Sequence, residues 1–186
     1  MKATAIPYTL QFKRPAGTSR GVLKTKQTYF VVIERNGKRG IGECGIFKGL
    51  SCDDRPNYER VLENTCQRVM ENSINQENIH EELRDWPSIR FGFEMAFKDL
   101  HSNGVIQYFD NAFYRGEEGI ETNGLIWMGS QDFMRSQLEK KVSQGFRCIK
   151  FKIGALDWEK EHAMLSDVRK LHPSNVMEIR VDANGA

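Results

Sequence analysis

Two short alternating segments constrain this chain more than anything else in it. The first is Cys148-Ile149-Lys150-Phe151-Lys152-Ile153-Gly154 and the second is Glu178-Ile179-Arg180-Val181-Asp182. Successive side chains on an extended strand point to opposite faces. Ile149, Phe151 and Ile153 therefore share one face, and Cys148, Lys150 and Lys152 share the other. In the second segment Ile179 and Val181 lie on one face, with Arg180 and Asp182 opposite. A helix-like run ending at Gly145 precedes the first segment, and a second run, Asp157 to Leu171, separates the two. Strands alternating with helices predict βα units and a parallel sheet covered on both faces.

Two lysines on one face of such a strand are expensive to bury. Taken alone, Lys-x-Lys is also explained by an edge strand with its lysines in water. Taken alone, Asp182-Ala183-Asn184-Gly185 reads equally well as a turn. Together they say more. Two consecutive strands place ammonium groups and a carboxylate on the same inward face and near the same end. The C-terminal ends of parallel barrel strands are where α/β barrels keep their chemistry. The combination suits a lysine base beside a metal-bound carboxylate substrate.

The preceding residues follow a different pattern. Ala3 to Phe12 reads as a first strand and Lys13 to Lys24 as a loop, because Pro15, Gly17 and Gly21 interrupt it. A second strand is expected near Thr28 to Glu34. Asn36-Gly37 is a strong hairpin signal, and Arg39 to Glu43 returns as the third strand of an antiparallel meander. Asp53 or Asp54 followed by Pro56 marks a helix start. Tyr58, Val61, Leu62, Thr65, Cys66, Val69 and Met70 then recur at helical spacing. A short helix over Gln76 to Leu83 and a longer one from Ser88 to about Ser102 follow, the latter stopped by Asn103-Gly104.

The expected division is therefore an α+β domain over 1–104, a connector over 105–121, and the first three strands of a (β/α) barrel of the TIM type over 122–186. Its pieces are a strand at Asn123 to Trp127, a helix at Ser130 to Gln144, and the lysine and aspartate strands with a helix between them. A closed barrel of this kind takes roughly 250 residues. The barrel is thus expected to be incomplete here and the chain a fragment of a longer protein, with an open strand edge that invites pairing with another chain.

Composition excludes several classes of function. With 27 basic and 25 acidic residues the net charge is +2, which gives no basis for nucleic-acid or anionic-membrane binding. The four cysteines (Cys44, Cys52, Cys66, Cys148) form no CxxC pair and no zinc-ligand spacing. No run reaches the ~18 apolar residues of a membrane span. The expected setting is the cytoplasm.

The residues that carry chemistry resemble those of a known family. Lys150-Phe151-Lys152, Val181-Asp182-Ala183-Asn184-Gly185 and the helix Ile89-Arg90-Phe91-Gly92-Phe93-Glu94-Met95-Ala96-Phe97-Lys98-Asp99-Leu100 are similar to the muconate-lactonizing subgroup of the enolase superfamily. The run Asn123-Gly124-Leu125-Ile126-Trp127-Met128-Gly129 resembles, within it, the o-succinylbenzoate synthases of menaquinone biosynthesis. The resemblance spans the whole chain, as the N-terminal half of such an enzyme. It implies a capping domain followed by a modified barrel, and abstraction of a proton α to a carboxylate with Mg²⁺ stabilising the enediolate.

Carried over by position, Lys152 resembles the general base and Lys150 its neighbour, and Asp182 the first of three carboxylate metal ligands. Asn184 and the loop residues Thr18, Ser19 and Arg20 fall where the family contacts substrate, although a solvated loop with no contact explains Thr18 to Arg20 as well. The loop at Gly45 to Leu50 is a weaker substrate-contact candidate. An α-proton is weakly acidic, so its base must be neutral part of the time, and desolvation or a nearby ammonium favours that form. The family's other two metal ligands and its opposing lysine belong to later strands, so this chain alone is expected to be inactive.

The resemblance implies a small carboxylate as substrate, no nucleic acid or membrane partner, and room for a homo-oligomer or for pairing through the open barrel edge. Two other readings stay open: a dipeptide epimerase or N-acylamino acid racemase on the same scaffold, and a non-catalytic fragment acting as an association module.

Overall fold

The computed structural model describes residues 1–18, 21–102, 108–154 and 157–183. Its elements are β1 (Lys2–Thr18), β2 (Gly21–Arg35), β3 (Lys38–Cys44), α1 (Tyr58–Met70), α2 (Ile79–Glu82), α3 (Pro87–His101), β4 (Gly124–Ile126), α4 (Gln131–Ser143), β5 (Cys148–Lys152), α5 (Trp158–Leu171) and β6 (Glu178–Asp182). They group into two compact units, Met1–Lys13 with Lys24–Glu118, and Arg14–Leu23 with Gly119–Ala186. Among the described residues no helix is long and apolar enough to cross a membrane.

The first sheet has the order β1-β2-β3. β2 and β3 pair antiparallel from Tyr29↔Cys44 to Arg35↔Lys38. Asn36 and Gly37 join them with φ of 51° and 75°, the doubly left-handed turn that matches strand twist and that Asn-Gly favours. The alternation of β2 then decides the core. Tyr29, Val31 and Ile33 are buried against Leu62, Cys66 and Val69 of α1 and Ile89, Phe93 and Phe97 of α3.

Two expectations for this region need correction. The stretch Lys13 to Lys24, expected as a loop, is mostly strand, because β1 runs on to Thr18 and β2 begins at Gly21. Pro15 does not stop β1 because β1 is a sheet edge, where a missing N–H breaks no ladder. Asp53 does not cap the helix that follows it. Its Oδ2 accepts from the backbone N of Ser88 at 2.8 Å and from Ser88 Oγ at 2.6 Å, so it caps the first turn of α3.

α3 lies on β3 through a seam without side chains. A methyl group added at Gly42 would fall on the Gly92 carbonyl oxygen, and one at Gly40 on the Ala96 carbonyl. Asp99 Oδ2, one turn further along α3, accepts from Ile41 N at 2.8 Å. The helix thus supplies a partner for a β3 backbone group.

The second sheet is parallel, in the order β4-β5-β6. α4 and α5 cover one face. Ile126, Ile149 and Phe151 are buried there with Met134, Leu138, Met164 and Val168. Ser130 caps α4, accepting from Phe133 N at 3.3 Å. β5 is the central strand of the three, so the water-exposed edge does not explain its lysines. β6 is an edge among the described strands, and its Val181 is 53% exposed.

Candidate active site

Parallel register brings the two alternating segments together. Lys150 pairs with Arg180 and Lys152 with Asp182 across β5 and β6. Ile153 N donates to the Asp182 carbonyl at 3.0 Å, tying the two strand ends to each other. Because Ile149 and Phe151 point to the helices, Lys150 and Lys152 emerge on the opposite face, and both are half-buried.

Lys150 Nζ lies 2.8 Å from Asp182 Oδ2, with both side chains about one-third exposed (34% and 29%). The charge of Lys150 is met by Asp182. A pair as open as this is worth ~1 kcal/mol or less. Lys152 Nζ stands over the Trp127 ring, 5.3 Å from its centroid, within cation–π range.

Three further residues shape the site, and sequence patterning did not single them out as functional. Trp127 follows β4, and both its backbone groups are held by one amide: Trp127 N donates to Gln137 Oε1, and Gln137 Nε2 donates to the Trp127 carbonyl, each at 3.0 Å. Gln137 reaches them from α4. Glu161, on the first turn of α5, is 3% exposed and accepts from Gly154 N with both carboxylate oxygens at 3.0 Å. Gly154 has φ +94°, a conformation that favours glycine. Glu161 thereby fixes the turn that leaves β5 two residues past Lys152. An acidic residue in a helix's first turn after a glycine was the available signal, but helix capping explains that pattern as well.

Cys148 shares the lysine face. Burial pushes its thiol up from the ordinary value, which keeps it protonated and unsuited to act as a nucleophile. On the exposed outer end of β6, Arg180 Nε donates to Glu178 Oε1 at 2.7 Å and holds that carboxyl below its usual range. A groove of about 680 Å³ opens between α4 and α5, lined by Met134, Leu138, Phe151, Met164 and Val168. It is on the helix side of the sheet, away from Lys150 and Lys152, and Arg135, Glu139, Asp167, Lys170 and His172 also line it.

Among the described residues no three His, Cys, Asp or Glu side chains gather as a metal site. Asp182 is one carboxylate, already facing a lysine, and one carboxylate does not hold Mg²⁺, which wants oxygen ligands in octahedral array. Ser19, Arg20 and Asn184, and the side chain of Thr18, lie outside the described residues.

No family model matches the chain. Among curated proteins it is 40% identical to the o-succinylbenzoate synthase of Desulfotalea psychrophila, over 95% of this chain and 56% of that protein. It is 24% identical to a hydrophobic dipeptide epimerase of Roseobacter litoralis, over 96% of this chain and 53% of that one. The chain therefore spans about half the length of the curated relatives it matches. Among solved structures, MenC from Desulfotalea psychrophila superposes with a TM-score of 0.75 at 33% identity, covering 100% of this chain and 57% of that one. The o-succinylbenzoate synthase of Thermosynechococcus elongatus, solved with Mg in its active site, superposes at 0.72 with 22% identity, covering 100% and 52%.

Proposed function

We propose that the chain is part of an enolase-superfamily enzyme, namely the base-bearing part of an o-succinylbenzoate synthase, a lyase of menaquinone biosynthesis acting in the cytoplasm. The observation that carries the reading is the β5–β6 register, which sets Lys152 opposite Asp182 at the ends of adjacent parallel strands. The 40% identity to a synthase, against 24% to an epimerase, favours dehydration over epimerisation.

The substrate is a cyclohexadiene carboxylate bearing a hydroxyl on the carbon next to the acidic one. Lys152, in its neutral form, takes the proton α to the carboxylate, and the C–H electron pair moves into an enediolate. The enediolate collapses and expels the neighbouring hydroxyl. The Lys152 ammonium returns its proton to that oxygen, so water leaves and the ring becomes aromatic. Trp127 holds the Lys152 ammonium from one side, and Glu161 fixes the turn beyond it. Asp182 would be one oxygen ligand for the Mg²⁺ of the parent enzyme, where the cation would stabilise the negative charge of the enediolate. Thr18, Ser19, Arg20 and Asn184 are the residues that the resemblance puts forward for contact with the substrate.

A substrate panel tests this reading. The parent protein, with Mg²⁺, is offered the cyclohexadiene carboxylate and a set of hydrophobic dipeptides. The expected result is o-succinylbenzoate from the first and no inversion of the second. Epimerised dipeptide without o-succinylbenzoate would replace the synthase reading with the epimerase one.

A further inference from the structure

β4 is short, Gly124–Ile126, and is an outer strand of the parallel sheet among the described strands. Its last residue, Ile126, pairs with Phe151. The next step of that register brings Trp127 level with Lys152 on one side, as Asp182 is level with it on the other. Trp127 therefore stands just where β4 has run out and where the lysine emerges.

One side chain holds its backbone there. Gln137 Oε1 accepts from Trp127 N, and Gln137 Nε2 donates to the Trp127 carbonyl, each at 3.0 Å. A primary amide carries an acceptor and donors side by side, whereas a carboxylate only accepts and an ammonium only donates. The amide thus does for Trp127 what a residue of a neighbouring strand does when the two exchange N–H and C=O bonds. The same Nε2 also donates to the Phe133 carbonyl at 3.3 Å, which ties the amide to its own helix. Two more contacts fix the segment between. Ser130 Oγ accepts from Phe133 N at 3.3 Å. A methyl group added at Gly129 would fall 2.6 Å from a Phe133 ring carbon, so the backbone lies directly on that ring. From Trp127 to Ser130 the chain is bound to α4 at three points.

The indole is where this binding matters. Lys152 Nζ lies 5.3 Å from the centroid of the Trp127 ring. A lysine carries its ammonium on a flexible four-carbon stem, and an indole face is the best aromatic partner for such a group. A tryptophan held at both backbone atoms presents that face in one place.

We propose that Gln137 is a positioning residue for Lys152: it pins Trp127 by both backbone groups, and the pinned indole holds the lysine head at the C-terminal end of β5. The inference rests on the reading of Lys152 as the base. Gln137 acts through Trp127, from α4. A residue that places the base without binding substrate lowers kcat and leaves KM.

Two readouts on the parent protein with Mg²⁺ test the proposal. One is the nuclear Overhauser cross-peak between the Lys152 ε-methylene and the Trp127 indole protons, seen with isotope-labelled lysine and assigned with Lys152→Arg and Trp127→Phe. The other is steady-state formation of o-succinylbenzoate. Gln137→Leu removes all the hydrogen bonds of the amide. Gln137→Glu keeps the acceptor and removes the donor, and it decides the matter if the leucine variant fails to fold. Each is expected to lose the cross-peak and ~10- to ~100-fold in kcat, the scale of a small misplacement of a reacting group, with KM within a few-fold of wild type. Ser136→Ala, the neighbouring position on α4, should keep both readouts. A cross-peak absent from the wild type, or one that survives the Gln137 substitutions, overturns the proposal. So does a kcat within a few-fold of wild type, or a loss confined to KM. A parent that forms no o-succinylbenzoate, but whose cross-peak is present and is lost on substitution of Gln137, overturns the synthase reading and leaves the positioning role standing.

Discussion

Cys66 lies in the core of the first unit, where burial pushes its thiol up from an ordinary value of 9.0 to about 11. The unfolded thiol therefore gives up its proton first as pH rises. The stability this group contributes is fully present below pH 9 and is lost between pH 9 and about 11. Burial raises the Tyr58 and Tyr29 phenols as well, which acts in the same direction at higher pH. The thermal midpoint is expected to fall steadily from pH 8.5 to 10.5, and Cys66→Ala to make that slope shallower. A midpoint that is flat across this range would contradict the buried-thiol assignment. At this scale the facing of the charged side chains was legible in the sequence, because the two-residue period sends Lys150 and Lys152 to one face of β5 and Arg180 and Asp182 to one face of β6. Their partners were not. The Lys150–Asp182 ion pair depends on inter-strand register, and the Gln137 clamp on Trp127 spans ten positions between a strand end and a helix. Neither follows from local spacing.

Between elements, the tightest fit is that of α3 on β3. Gly40 and Gly42 face Gly92 and Ala96 across a gap with no room for a methyl group, and a Cβ at Gly92 would also meet Cys44 Sγ. Gly92→Ala improves intrinsic helix propensity by up to ~1 kcal/mol but forces the helix off the strand, an overpacking cost of ~1–3 kcal/mol or more. The second effect is expected to win, with a net loss of ~1–2 kcal/mol read as a lower urea midpoint. A midpoint that rises would mean that α3 sits further from β3. The helices themselves were legible from their apolar spacing, and the β2–β3 turn from Asn36-Gly37. The length of the β1–β2 hairpin was not. The Pro, Gly and cation content of its β1 arm, Lys13 to Thr18, resembles a loop, and the place of β1 at a sheet edge lets Pro15 sit in a strand. The role of Asp53 was hidden for a similar reason, since its partner Ser88 stands 35 residues away.

For the molecule as a whole, the chain covers 56% of its synthase relative, and its described residues bring Lys152 opposite one carboxylate, Asp182. The architecture was legible, because the change from alternating strands and a tight hairpin to βα repeats separates a capping unit from barrel strands. The 186-residue chain alone is expected to give no detectable turnover with Mg²⁺, because a single carboxylate facing a lysine does not hold the cation. Metal-dependent product from the isolated chain would show that its own residues complete the site. The most direct measurement is the rate of o-succinylbenzoate formation by the parent protein carrying Lys152→Ala, at saturating Mg²⁺ and with folding checked by circular dichroism. A positioned general acid–base group contributes ~10²–10⁴-fold, so the variant should lose at least that factor in kcat. A variant within a few-fold of wild type would remove Lys152 from the chemistry, and with it the role proposed for this chain.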